Sequence, residues 1–297
     1  MTLDDWHHTG RLFTYRGYDI VYHDEGAGDT LVCIHGFPTA SWDWHKILPA
    51  LTSRFRVIAA DMIGFGLSDK PHGYDYSLFD QATLHEALLK HLGLDSAHLL
   101  AHDYGDTVVQ ELLARYLDRQ EEGATGLRIR SACLLNGGIF PEATRPRPIQ
   151  KLLRSPLGWL VGLLLTERQF RKSFRAVFAP DTQPSDTELG DFWRLITFNR
   201  GERIAHKISR YQHERQQNRA RWAGALQHTT VPLRLINGPL DPVSGASIAS
   251  RYRELIAHPD VVMLDGIGHY PQIEAPEAVL NAYLAFLERV VAGSSPF

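Results

Sequence analysis

The sequence predicts an α/β protein: a doubly wound, mostly parallel sheet with a block of helices inserted into it. Three observations carry that expectation. Short continuous apolar runs alternate with helical patterns along much of the chain, the signature of strand–helix–strand units. The runs are apolar throughout instead of alternating, as strands covered on both faces are. From Ile139 to about Gln227 the rhythm stops, and only helical patterns remain, punctuated by prolines such as Pro141, Pro156 and Pro180. This divides the chain into a core built from residues 1–138 and 228–297 and a helical cap over 139–227.

Taken in order, Leu12–Tyr15 and Asp19–His23 read as a hairpin at a sheet edge, with Arg16-Gly17-Tyr18 between them. Thr30–Ile34 and Arg56–Ala60 are buried strands. Leu78–Leu92 is an amphipathic helix stopped by Gly93. Ala97–Ala101 and Ile129–Leu135 are the next strands. The insertion should hold helices over Ile149–Leu165, Glu167–Val177, Ser185–Phe198 and Arg203–Leu226. The arginines and glutamines between Arg210 and Arg221 read as a solvated face. Val231–Ile236, a helix over Ala246–Ala257, Val261–Leu264 and a helix over Pro276–Val291 complete the core, and the terminal GSSPF should fray.

Composition narrows the function classes. The 297 residues are 44% hydrophobic and 22% charged, with a net charge of −3 and no basic block, so nucleic acid is not expected as a partner. Cys33 and Cys133 lie in apolar runs and read as buried thiols, with no metal site or disulfide. The start, MTLDDWHHTG, lacks the features of a signal peptide, and the longest apolar run, Leu157–Leu165, is too short to span a bilayer. A cytoplasmic protein without a membrane partner or cofactor is expected; a homodimer stays open.

The chemistry centres on Ala101-His102-Asp103-Tyr104-Gly105. A strand, a sharp turn and a helix here match the Gly-x-nucleophile-x-Gly elbow, with alanine in the first glycine slot and a carboxylate as nucleophile. A plain N-capping aspartate is the simpler reading of Asp103 alone. Asp241 and His269 also follow strands at their C-terminal ends, where ligands bind in open α/β sheets. A carboxylate is ionised at neutral pH, since its ordinary pKa is about 4, and attacks carbon without a base to activate it. His269 would then activate water to hydrolyse the resulting ester, oriented by Asp241. Asn136, after the sixth strand, is the rival position for the acid.

His35-Gly36-Phe37-Pro38, His102-Asp103-Tyr104-Gly105, Asp241 and Gly268-His269 resemble the epoxide hydrolase branch of the α/β-hydrolase fold over nearly the whole chain. Within it, His102–Asp106, Asn136–Glu142, Gly238–Pro242 and His269–Gln272 resemble the mesoderm-specific transcript family. The resemblance implies that the backbone N–H groups of Phe37 and Tyr104 form an oxyanion hole. It also implies that Tyr211, before Arg221-Trp222, donates a proton to the leaving epoxide oxygen. A second cap tyrosine of that branch is missing, since Ile139–Gln183 contains none, and His206, His213 or water would have to help. Haloalkane dehalogenases share an aspartate nucleophile but hold halide with an asparagine and a tryptophan, where this chain has Phe37 and Tyr104.

The expected function is thus an epoxide hydrolase acting on a small hydrophobic substrate and water, with a dehalogenase of haloalkanes or haloacids as the alternative. A non-catalytic binding scaffold or a serine-type esterase fits Asp103, Asp241 and His269 less well. His35, Trp42, His102, Asn136 and Tyr270 are expected to line the substrate pocket.

Overall fold

The computed structural model describes residues 1–293, so most of the tail expected to fray, Ser294–Phe297, lies outside the described residues. Eight strands form one sheet: β1 (Arg11–Tyr15), β2 (Tyr18–Glu25), β3 (Thr30–Ile34), β4 (Arg56–Ala60), β5 (Ser96–His102), β6 (Arg128–Leu135), β7 (Leu233–Asn237) and β8 (Val261–Met263). Their order is β1-β2-β4-β3-β5-β6-β7-β8. The β1–β2 and β2–β4 pairs are antiparallel, and every later pair is parallel.

Alternation along the central strands explains their unbroken apolar sequence. Val32 and Ile34 of β3 join Ala132 and Leu134 of β6 in the core on one face. Leu31 and Cys33 join Cys133 and Leu135 in the core on the other. The first face is covered by helices Leu78–His91 and Tyr104–Glu122, through Leu84, Leu88, Val109 and Leu112. Val279, Tyr283 and Phe286 of the C-terminal helix, Pro276–Gly293, pack on the second. Both cysteines are free and buried.

A helix over Leu3–Thr9 was not anticipated. Only Leu3 and Trp6 point inward, too few to make a periodic pattern, but Thr2 and Asp5 form a capping box that marks its start. Trp6 is fully buried, 3.6 Å from the His23 ring and 5.6 Å from Trp42.

No strand lies between β6 and β7 among the described residues. The helices there are shorter than the apolar periodicity predicts. The Ile149–Leu165 expectation breaks into Pro148–Arg154 and Gly158–Leu164. Pro156 lacks an N–H and pushes Ser155 into extended backbone, φ −72° and ψ 163°. Arg203–Leu226 breaks into Ala205–Ile208, Tyr211–Gln217 and Arg219–His228. At the breaks Ser209 donates to the His206 carbonyl and Asn218 to the Glu214 carbonyl, side chains competing with the helical ladder. Strand β7 likewise starts at Leu233, after Pro232, instead of at Val231.

Candidate active site

Asp103 follows β5 and precedes the helix Tyr104–Glu122, with φ 47° and ψ −101°. That strained backbone is the geometry of a sharp strand-to-helix turn, and such strain collects at functional sites. The turn needs glycines close by. A Cβ on Gly105 would sit 2.3 Å from the Ile34 carbonyl oxygen, and one on Gly36 would sit 3.0 Å from the Asp103 Cβ. The Asp103 side chain caps no N–H of its own helix, which removes the simple capping reading. Its Oδ2 instead accepts from the Phe37 N–H at 3.2 Å. Tyr104 opens the helix, so its N–H is a first-turn donor without an intrahelical partner.

Asp241 and His269 meet from separate loops after β7 and β8. His269 Nδ1 lies 2.7 Å from Asp241 Oδ2. Asn136 Nδ2 donates to the same oxygen at 3.0 Å, Ser244 Oγ donates to it at 2.7 Å, and the Val243 N–H donates to Oδ1 at 2.7 Å. Asn136 is therefore no second acid: its amide feeds Asp241 and also pairs with both backbone groups of Gly238. Burial alone would raise the Asp241 carboxyl, but the His269 charge and these donors bring it down to about 2. Burial opposes the charge on His269 too, yet Asp241 and then Asp103 raise the imidazole to about 9.

A cavity of about 140 Å³ opens over these groups. Its floor is Phe37, Asp103, His269 and Tyr270, and its walls include Leu153, Val161, Phe170, Phe174 and Ile196 from the helical insertion. Tyr270, stacked on Phe178 at 5.0 Å, is the one expected pocket residue that lines it. His35, Trp42, His102 and Asn136 do not. The His35 ring spans Gly36 O and the Met62 N–H. Trp42 stacks on His45 at 4.2 Å. The His102 Nε2 is 2.7 Å from the His269 carbonyl oxygen and so holds the base's backbone. Asn136 and His102 are spent instead on the loops that carry Asp241 and His269.

Tyr211 is buried, its ring 5.0 Å from Tyr104 and 5.8 Å from Phe37. It lines a second, smaller cavity of about 30 Å³ that shares Gln150 and Val243 with the first. Burial and the nearby Asp103 charge raise its phenol, which stays protonated. His206 and His213 line neither cavity.

Sequence reasoning missed Arg215. It belongs to the stretch expected to be a solvated face, but it is only 6% exposed. Its Nη2 donates to the Asp103 carbonyl at 2.8 Å and lies 3.7 Å from Asp103 Oδ1. Its Nε donates to Thr107 Oγ1 at 2.7 Å, and the guanidinium lies 4.5 Å from the Tyr211 ring centre. Gly138 makes room for it, since a Cβ there would come 2.5 Å from Nη1. Among the described residues, no group of three or more His, Cys, Asp or Glu is placed to hold a metal ion, and no helix is long and apolar enough to cross a membrane.

A mostly parallel sheet with its candidate residues at the strand ends and an aspartate at the elbow defines a hydrolase-type scaffold, and comparison with known proteins agrees. The family model described as alpha/beta hydrolase fold matches residues 29–276. The chain belongs to the α/β-hydrolase fold family. It is 45% identical over 298 residues to the human mesoderm-specific transcript homolog protein, covering 96% of this chain and 88% of that protein. The epoxide hydrolase CorEH superposes with a TM-score of 0.77 at 20% identity, over 95% of this chain and 99% of that one. A haloalkane dehalogenase from Bradyrhizobium elkani superposes with a TM-score of 0.79 at 23% identity, over 96% and 99%. At those identities the two structures speak for the fold alone.

Proposed function

We propose that the chain is an epoxide hydrolase that works through a covalent ester on Asp103. The observation that carries this reading is the elbow carboxylate in strained backbone, facing an apolar cavity with His269 beside it. Asp103 attacks one epoxide carbon, the C–O bond breaks, and the oxygen takes a proton from Tyr211. His269 then removes a proton from water, which attacks the ester carbonyl, while the Phe37 and Tyr104 N–H groups hold the oxyanion. The diol leaves, Asp103 is regenerated with one oxygen from water, and the proton that His269 gained returns by way of solvent to the Tyr211 phenolate.

Formation of the ester also prepares the second step. While Asp103 is ionised its charge helps keep His269 protonated. Esterification removes that charge and so lowers the proton affinity of the imidazole, the direction that water activation needs, while Asp241 still holds the ring.

Dehalogenation through the same Asp103 is the second reading, favoured by the resemblance in fold to a haloalkane dehalogenase. Against it, Phe37 has no side-chain donor for a halide, and Tyr104 does not line the cavity. Incubation with a panel of aryl and alkyl epoxides and with bromoalkanes separates the two. Diol formation without bromide release is expected; bromide release without diol would overturn the assignment.

A further inference from the structure

The small cavity beside the elbow carries more positive charge than the residues around it neutralise. Arg154 and Arg215 both line it, together with Tyr211, Gln150, Gln212 and Gln216. Arg154 Nε is buried and has no hydrogen-bond partner, and among the described residues Arg154 forms no ion pair. An unpaired buried donor of this kind costs free energy that a bound acceptor would recover. Arg215 uses Nε and Nη2 on Thr107 and Asp103, which leaves Nη1 without a protein acceptor among the described residues. Asp103 is the nearby anion. Asp106, the other buried carboxyl close to Arg215, does not line the cavity, and burial pushes it well above the usual carboxylate range. Two guanidinium groups thus line a cavity that no carboxylate lines among the described residues.

We propose that this cavity is an anion subsite that takes the carboxylate of an amphiphilic acid, whose apolar body fills the larger cavity. A volume of about 30 Å³ exceeds what one water needs and suits a single small head group. Planar guanidinium forks match a carboxylate. Gln150 and Val243 line both cavities, which therefore adjoin, and the proposed ligand spans them with its charged end in the smaller and its apolar body in the larger. The reacting carbon then lies close to the acid group, between Asp103 and Tyr211. This deepens the epoxide reading, since it rests on the same cavity holding the substrate, and narrows the substrate to an epoxide-bearing acid.

The test is binding, without turnover. Titration calorimetry compares octanoate with octan-1-ol on the wild-type protein and on Arg154→Met. Octanoate should bind the wild type at least about tenfold more tightly than the alcohol, and Arg154→Met should lose that difference while leaving the alcohol unchanged. Equal affinities for acid and alcohol, octanoate binding that survives in Arg154→Met, or no octanoate binding at all would each overturn the subsite. An anion subsite that binds octanoate in a protein yielding no diol from any epoxide would instead sink the epoxide reading and leave the subsite standing.

Discussion

The Asp241–His269 pair and the helical insertion above it differ in how their polar atoms are satisfied. Asp241 is fully committed: it takes bonds from His269, Asn136, Ser244 and the Val243 N–H. The helical insertion leaves Glu202 Oε2, of a residue on the main cavity, and Arg154 Nε, of a residue on the smaller one, without partners. A saturated network is rigid and holds reacting groups in place, whereas unsaturated groups stay available to a ligand. On the proposed function, the network around Asp241 fixes the chemistry and the insertion selects what reaches it.

The largest expected effect comes from breaking the floor. Asp241→Asn removes the charge that orients His269 and should lower turnover by about 10²–10⁴. Asn136→Ala removes one of several donors to Asp241 and should cost far less. If steady-state kinetics ranks Asn136→Ala as the more damaging change, the acid is misassigned.

A smaller effect is expected at the border between the two regions. Tyr211→Phe deletes one hydroxyl and should slow epoxide opening by about 10² while hydrolysis of a formed ester stays near normal. Single-turnover kinetics resolves the two steps. Unchanged opening would assign the proton to water and reduce Tyr211 to a packing residue.

The smallest effect is on folding stability. His269 in the folded chain titrates near 9, above its ordinary 6.5, so between these values the folded state binds more protons than the unfolded one. Its contribution is complete below about pH 6.5 and is lost as pH rises toward 9. Melting temperatures taken from pH 6 to 9.5 should fall for the wild type and fall less for His269→Gln; parallel curves would contradict the shift.

The two regions also differ in how far they could be read from sequence. Strands β3 and β4 match their apolar runs residue for residue, because a strand covered on both faces is written locally. Asp103 and His269 were legible for a related reason: turn glycines beside a strand end mark the loop that carries them. Arg215 was not legible. It stands among arginines that do point outward, and only the packing of its helix against Thr107 and Gly138 turns it inward. The pocket residues failed through direction: His35 and Trp42 neighbour Phe37 in sequence, but their rings pack below the loop, away from the cavity. Pro156 was visible, and the apolar periodicity around it still outran the break it imposes.

The central claim is that the floor forms and then hydrolyses an ester on Asp103. Replacing His269 with Gln should leave the first step and stop the second. Intact-protein and peptide mass spectrometry after addition of an epoxide should then find Asp103 carrying the mass of one substrate molecule, stable over the time in which the wild type turns over. Continued turnover with Asp103 unmodified, or the added mass on a different residue, would contradict the account.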